Sequence, residues 1–242
     1  MRINVSLIHP TARCDPVWAA ITGPQADLAE RRGRTARYRP DVARFAALPS
    51  EPDPDDWADL ALLAGPGEKL VISGAPRTPP EGWEYRGGEG VQMVGTAVEV
   101  GPDPEAVQLG AADVPEMLDL VARTQPGPFE ANTLLMGTYL GIRIDGALVA
   151  MAGERFRPPG WSEISAVCTD PDYRGRGLAS RLIRAVGAVI RERGDVPYLH
   201  AAGTNTTAIR LYEHMGFTLR RYVVFALLRT PVQLGADVTS MT

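Results

Sequence analysis

Residues 162–183 read Ser-Glu-Ile-Ser-Ala-Val-Cys-Thr-Asp-Pro-Asp-Tyr-Arg-Gly-Arg-Gly-Leu-Ala-Ser-Arg-Leu-Ile. Ser162–Thr169 is a strand-like run. From Leu178 onward the apolar residues Leu178, Leu182, Ile183, Val186, Val189 and Ile190 recur at the helical period. Between them, Arg174-Gly175-Arg176-Gly177 makes a strand-to-helix turn. Glycines there remove the side chains that would keep a ligand away from the backbone, and the helix start adds outward-pointing N–H groups and the positive end of its dipole. Backbone N–H groups of about Gly175 to Ser180 are therefore expected to hold a diphosphate. The turn lacks the Gly-Lys-Ser/Thr ending of a nucleoside-triphosphate loop. It also lacks the third glycine, and the acid closing the next strand, that a dinucleotide fold requires.

Working outward, Gly194 ends the helix, Tyr198–Ala201 is a buried strand, and 206–215 is a helix with Ala208, Leu211, Tyr212 and Met215 on one stripe and Gly216 as its stop. One or two strands follow over Phe217–Leu228. Upstream, Asp145-Gly146 between the runs 138–144 and 147–156 is a strong hairpin signal. Val107–Leu109 is a short strand, and Asp113 with Glu116 fits a capping box on a helix carrying Met117, Leu118 and Val121.

Arg174, Gly177 and Ala179 match the Gln/Arg-x-x-Gly-x-Gly/Ala coenzyme A loop, and the stretch resembles that of the GNAT superfamily of N-acetyltransferases. Asn205-Thr-Thr-Ala-Ile-Arg-Leu-Tyr-Glu-His-Met-Gly-Phe217 resembles the superfamily's distal Asn…Ala…Leu-Tyr-x-x-x-Gly-Phe segment. With Thr138–Arg157, the likeness spans residues 106–229 and is nearest to FR47-like and glycine N-acyltransferase-like proteins. It implies an α/β (α+β) fold with a mixed, mostly antiparallel sheet flanked by helices. It also implies acetyl-CoA as cosubstrate, an amine acceptor and no metal. The acceptor class, whether small molecule, amino acid or protein N-terminus, stays open, as does a homodimer. The competing reading is a catalytically inactive CoA-binding regulatory or scaffold protein.

The resemblance also assigns roles. Arg174, Gly175, Arg176, Gly177, Leu178, Ala179 and Ser180 would bind the cofactor's pyrophosphate. N–H groups around Val167, Cys168 and Thr169 would receive the oxyanion. Tyr212 would be the general acid toward the CoA sulfur, against a plain packing role on its helix stripe. Glu163 would be the general base, with Glu154 on the neighbouring strand and ordered water as rivals. Asn205 would reach the CoA arm, or simply cap its helix. Cys168 reads as a small apolar residue more than as a nucleophile, and His200 as a core or cleft histidine. Acceptor contacts would come from about Gln125–Leu135 and from the late strands, segments that hold Phe129, Glu130 and Met136.

The rest of the chain bounds these readings. Of the 242 residues, 45% are hydrophobic and 22% charged, and the net charge of −4 gives no polyanion-binding half. Cys14 and Cys168 cannot make a disulfide framework, and His9, His200 and His214 have no zinc spacing. No run is long enough to span a membrane, and residues 1–8 are too short for a signal segment, so a cytoplasmic protein that binds neither nucleic acid nor membrane is expected. Asp15-Pro16 starts a helix carrying Val17, Trp18 and Ile21, resumed near Leu28, and a run of arginines at 31–39 is read as a solvated segment offset by the following acids. Residues 50–56 cap a helix beginning near Trp57, Leu70–Ser73 is a strand, 74–90 is irregular, and Val91–Val100 is extended. Gly101-Pro102-Asp103-Pro104 breaks the chain. Three units are expected: 1–100 as an α/β half, degenerate GNAT-like in one reading; 101–232 as the catalytic domain; and 233–242 as a flexible tail.

Overall fold

The computed structural model describes residues 15–74 and 78–232. The strand-like run at 1–8, His9, Cys14 and the tail at 233–242 lie outside the described residues. In chain order the elements are α1 (Pro16–Ile21), β1 (Ala29–Arg32), β2 (Thr35–Tyr38), β3 (Ala46–Ala47), α2 (Pro54–Ala64), β4 (Lys69–Gly74), β5 (Glu84–Val94), β6 (Ala106–Gln108), α3 (Val114–Thr124), β7 (Tyr139–Ile144), β8 (Ala147–Glu154), β9 (Trp161–Thr169), α4 (Leu178–Glu192), β10 (Val196–Ala202), α5 (Thr206–His214) and β11 (Thr218–Arg229). β1, β2 and β3 form a small sheet. The main sheet has 8 strands in the order β4-β11-β5-β10-β9-β8-β7-β6, all neighbours antiparallel except the β9–β10 pair.

In that order the main sheet runs across the break at residue 101. β5, from before the break, lies between β10 and β11 from after it, so the Gly-Pro-Asp-Pro stretch separates chain segments and not sheets. β5 also reaches back into the stretch expected to be irregular. Its glycines permit close pairing with β11: a Cβ on Gly90 would meet the Phe225 ring and the Ala201 carbonyl at 3.0 Å. Phe217–Leu228 becomes one long strand, interrupted by a bulge between Leu219 and Arg221.

Local chemistry accounts for most of the other elements. Asp15 caps α1, accepting from the Val17 N–H at 2.9 Å. α2 starts at Pro54, earlier than expected, because Asp53 and Asp56 close a reciprocal capping box around it. Asp145 and Gly146 both take positive φ, 51° and 84°, as a tight hairpin turn between β7 and β8 requires. The arginine run folds into the β1–β2 hairpin, Leu28 sits in a short 3-10 turn and not a helix, and Arg32 and Arg34 pair with Asp59, Asp53 and Asp56 of α2. The expected box at Asp113 is not made. Asp113 instead accepts from the Gly110 N–H at 2.8 Å and from Arg143 at 2.6 Å, and Arg143 also holds Glu116.

α4 packs its apolar stripe of Leu182, Ile183, Val186 and Ile190 on one face of the sheet, against Met93, Ile164 and Leu199. α3 covers part of the opposite face through Met117 and Leu120, which meet Tyr139, Met151 and Cys168. The N-terminal elements bring Val17, Ile21, Tyr38 and Phe45 together with Met136 and Phe156.

Candidate active site

β9 and β10 pair in parallel only from Trp161–Val196 to Ile164–Leu199. Beyond that point they part, because β9 carries a bulge. Ser165 pairs with Gly153 and Cys168 with Met151, leaving two β9 residues opposite one on β8, and Ala166 sits at a φ of 52°. A left-handed backbone on a residue with a Cβ is strained, and such strain concentrates at functional sites. The bulge turns the end of β9 away from β10 and opens a cleft of about 730 Å³.

At one end of the cleft the chain runs through Asp170–Tyr173 into the glycine turn. Gly175 and Gly177 have φ of 76° and 75°, and among the described residues nothing stands within 4 Å of where a Cβ would be. α4 has no side-chain cap, so its first-turn N–H groups face open space. This cradle suits a diphosphate. The Arg174 side chain folds back toward the Thr169 carbonyl at 3.3 Å. The Thr169 hydroxyl is buried with no hydrogen-bond partner among the described residues, and Thr169, Val167 and Cys168 all line the cleft.

α5 forms another wall. Asn205 caps it by accepting from the Ala208 N–H at 3.1 Å. Tyr212 is 8% exposed, lines the cleft, and its hydroxyl has no protein partner among the described residues. Burial raises its pKa, keeping the phenol protonated.

The far wall is charged. Glu163 is fully buried and lines the cleft. Its Oε2 accepts from Arg155 Nε at 2.9 Å, and its Oε1 from Arg155 Nη2 at 2.7 Å and from His200 Nδ1 at 2.7 Å. The Arg155 guanidinium lies over the rings of Phe45 and Phe156, 4.8 and 4.6 Å from their centroids. Burial opposes ionisation of Glu163, but the charge of Arg155 and the two hydrogen-bonding partners outweigh it and bring the pKa down to about 2.

Solved and curated proteins resemble this chain. A Novosphingobium aromaticivorans chain described as a GNAT-family acetyltransferase superposes with a TM-score of 0.83 at 44% identity, over 91% of this chain and 98% of that one. The N-alpha-acetyltransferase RimI of Mycobacterium tuberculosis is 35% identical over 129 residues, 48% of this chain and 80% of its own. The chain belongs to the GNAT family of N-acetyltransferases. The family model for FR47-like proteins matches residues 139–226 within it. A mycothiol acetyltransferase of Beutenbergia cavernae is 40% identical over 164 residues, 66% of this chain and 49% of that protein.

Within this GNAT fold the residues expected for the site mostly converge. Val167, Cys168, Thr169, Arg174, Gly175, Gly177, Leu178, Ala179, Ser180, Asn205, Tyr212 and Glu163 all line the cleft. Arg176 does not; its guanidinium lies over the Tyr173 ring at 4.9 Å. Glu154 is turned to the α4 face, where it binds Arg193, the Ser162 hydroxyl at 2.6 Å and the Thr138 N–H at 3.0 Å, away from the cleft. Burial raises the Cys168 thiol to about 11, which suits packing and not nucleophilic attack. Of the acceptor segment, Gln125 to Gly127 line the cleft, but Phe129 is buried edge-on to Tyr139, Met136 is buried beside the N-terminal elements, and Glu130 pairs with Arg44.

Two participants were not among the residues expected for the site. Arg155 holds the only carboxylate that lines the cleft among the described residues. Gln25 is 3% exposed and spends every hydrogen-bonding valence: its Nε2 donates to the carbonyls of Met136 and Arg155 at 3.0 and 2.8 Å, and its Oε1 accepts from the Tyr38 hydroxyl and the Arg157 N–H at 2.8 and 3.2 Å. Alternation of polarity along residues 151–155 could have flagged Arg155, since it falls on the face opposite Glu154. Nothing local marks Gln25. No group of three or more residues fit to hold a metal occurs among the described residues, and no described helix is long and apolar enough to cross a membrane.

Proposed function

We propose that this acetyltransferase moves the acetyl group of acetyl-CoA to an amine by direct attack in a ternary complex. The observation that carries this reading is the splay of β9 from β10, which joins an uncapped helix start on one side to the Tyr212 and Glu163 walls. The pyrophosphate would lie on the N–H groups from Gly175 to Ser180. The thioester carbonyl would then point at the backbone near Val167 to Thr169, where N–H groups stabilise the oxyanion of the tetrahedral intermediate. Asn205 would steady the CoA arm. Collapse expels the CoA thiolate, and Tyr212 supplies its proton.

The amine would arrive from the sheet face of Arg155, Glu163 and His200. A base with a pKa near 2 is a poor terminal acceptor for an amine proton, because catalytic bases work best near the operating pH. Glu163 is therefore assigned to stabilising the positive charge that forms on nitrogen during attack, with water carrying the proton away. Direct transfer agrees with the raised thiol of Cys168, which is unsuited to carry an acetyl group. The test is acetyl transfer to a panel of free amino acids, polyamines and peptides with a free α-amino group, the last prompted by the relative named an N-alpha-acetyltransferase. Tyr212→Phe keeps the ring packing against Phe217 and should lower kcat about 100-fold while leaving acetyl-CoA affinity unchanged. Tight CoA binding with no transfer to any amine would instead support the inactive CoA-binding reading.

A further inference from the structure

A row of polar side chains crosses four neighbouring strands behind the cleft. Strand register aligns His200 of β10 with Gln92 of β5, and Gln92 with Arg221 of β11. Glu163 of β9 pairs with Tyr198, two residues before His200, and so shares the same sheet face. The bulge at Arg220 brings two consecutive arginines to that face: Arg220 Nη1 and Arg221 Nε both donate to Gln92 Oε1, at 2.8 and 3.0 Å. A guanidinium can only donate, so the oxygen and nitrogen of the Gln92 amide are assigned without ambiguity. Gln92 is 1% exposed, and its Nε2 lies 3.1 Å from His200 Nε2. An amide N–H₂ can only donate, so His200 Nε2 must accept and carries no proton. The ring proton is therefore on Nδ1, donated to Glu163 Oε1.

We propose that Gln92 is a positioning residue for acetyl transfer: it holds His200 as the neutral ring with its proton on Nδ1, and so fixes the Glu163 carboxylate toward the cleft with Arg155 as its one cationic partner. A second proton on His200 would face the Gln92 amide donor against donor. The other groups around the ring do not change this. Tyr198 and Phe225 meet it edge-to-face at 5.6 and 5.1 Å, Arg155 lies beyond Glu163, and Arg220 and Arg221 lie behind Gln92. The catalytic part of the proposal rests on the reading that Glu163 faces the amine; the ring assignment does not.

The test is nitrogen-15 imidazole spectroscopy of the whole chain, paired with acetyl-transfer kinetics. In the parent at pH 7, His200 should show a protonated Nδ1 and a bare Nε2. Gln92→Glu presents a carboxylate that accepts from Arg220, Arg221 and an Nε2–H, so His200 should be doubly protonated at about pH 7. Its kcat should fall about tenfold or more with the KM for acetyl-CoA unchanged, and the acid limb of the pH profile should move upward. Gln92→Met, the second variant in case the first does not fold, removes the donor and should let an Nε2-protonated ring appear in the spectra at pH 7. An Nε2-protonated or doubly protonated His200 in the parent at pH 7 would overturn the assignment, and folded variants with parent kcat across about pH 6–9 would overturn the positioning role. If the parent acetylates no amine, the proposed function fails while the imidazole spectra still decide what Gln92 does.

Discussion

On the α4 side of the cleft an incoming ligand meets backbone; on the opposite side it meets side chains. The first surface consists of a bulged strand end, two left-handed glycines and an uncapped helix, all within residues 165–180. The second presents Arg155, Glu163 and His200, backed by Phe45 and Gln92 from distant parts of the chain and locked by Gln25. A backbone surface tolerates exchange of its neighbours, because main-chain geometry alone positions its donors. A side-chain surface depends on every member at once, since each partner removed leaves a buried charge or dipole unpaired.

The sharpest break of this contrast is Gln25→Ala, far from any ligand. It strands the Tyr38 hydroxyl, the Arg157 N–H and two carbonyls, and should cost about 4 kcal/mol of stability in denaturant unfolding. An effect below about 1 kcal/mol would show the charged wall to be less interdependent than described. On the backbone side, Gly177→Asp puts an anion where phosphate is expected, at a position whose φ of 75° aspartate tolerates better than most residues. Acetyl-CoA affinity by calorimetry should fall on the order of 100-fold, while the melting temperature changes little.

Glu163→Gln sharpens the contrast through pH. The folded carboxyl, near 2, lies below its usual 4.5, so the stability it confers is fully present above about pH 4.5 and disappears as pH falls toward 2. The stability gap between parent and Glu163→Gln should therefore narrow by roughly 3 kcal/mol across that window, read from unfolding at a series of pH values. A constant gap would show that Arg155 does not hold the carboxylate ionised. The smallest effect belongs to Arg32→Ala. Its 2.8 Å pair with Asp59 sits on a side chain 52% exposed, and its loss should cost under about 0.5 kcal/mol.

The same contrast decides what could be read from residues alone. The glycine turn, the Asp145-Gly146 hairpin, the α4 stripe and the Asn205 cap are contiguous, and each was legible because its cause lies within a few residues. The passage of β5 between β10 and β11 was not, since no local signal reports which distant strand a glycine-rich segment will join. Phe129 and Met136 were misplaced into the acceptor lining for a related reason: an apolar residue in a loop carries no mark of whether a second segment will cover it. Glu163 was found by its position, but its saturation by Arg155 and His200, which alters its chemistry, depends on three strands meeting.

The central placement of β5 has a consequence for synthesis of the chain. Val94 waits for Thr218, 124 residues later, before its side of the sheet can close. At about 5–20 residues per second, that is on the order of ten seconds on the ribosome. A long strand left without a neighbour for that time invites pairing with other nascent chains. The first half of β5, Glu84-Tyr85-Arg86-Gly87-Gly88-Glu89-Gly90, is charged and glycine-rich, a poor template for foreign strands. The residues that make this strand hard to recognise also shield the unfinished protein from aggregation.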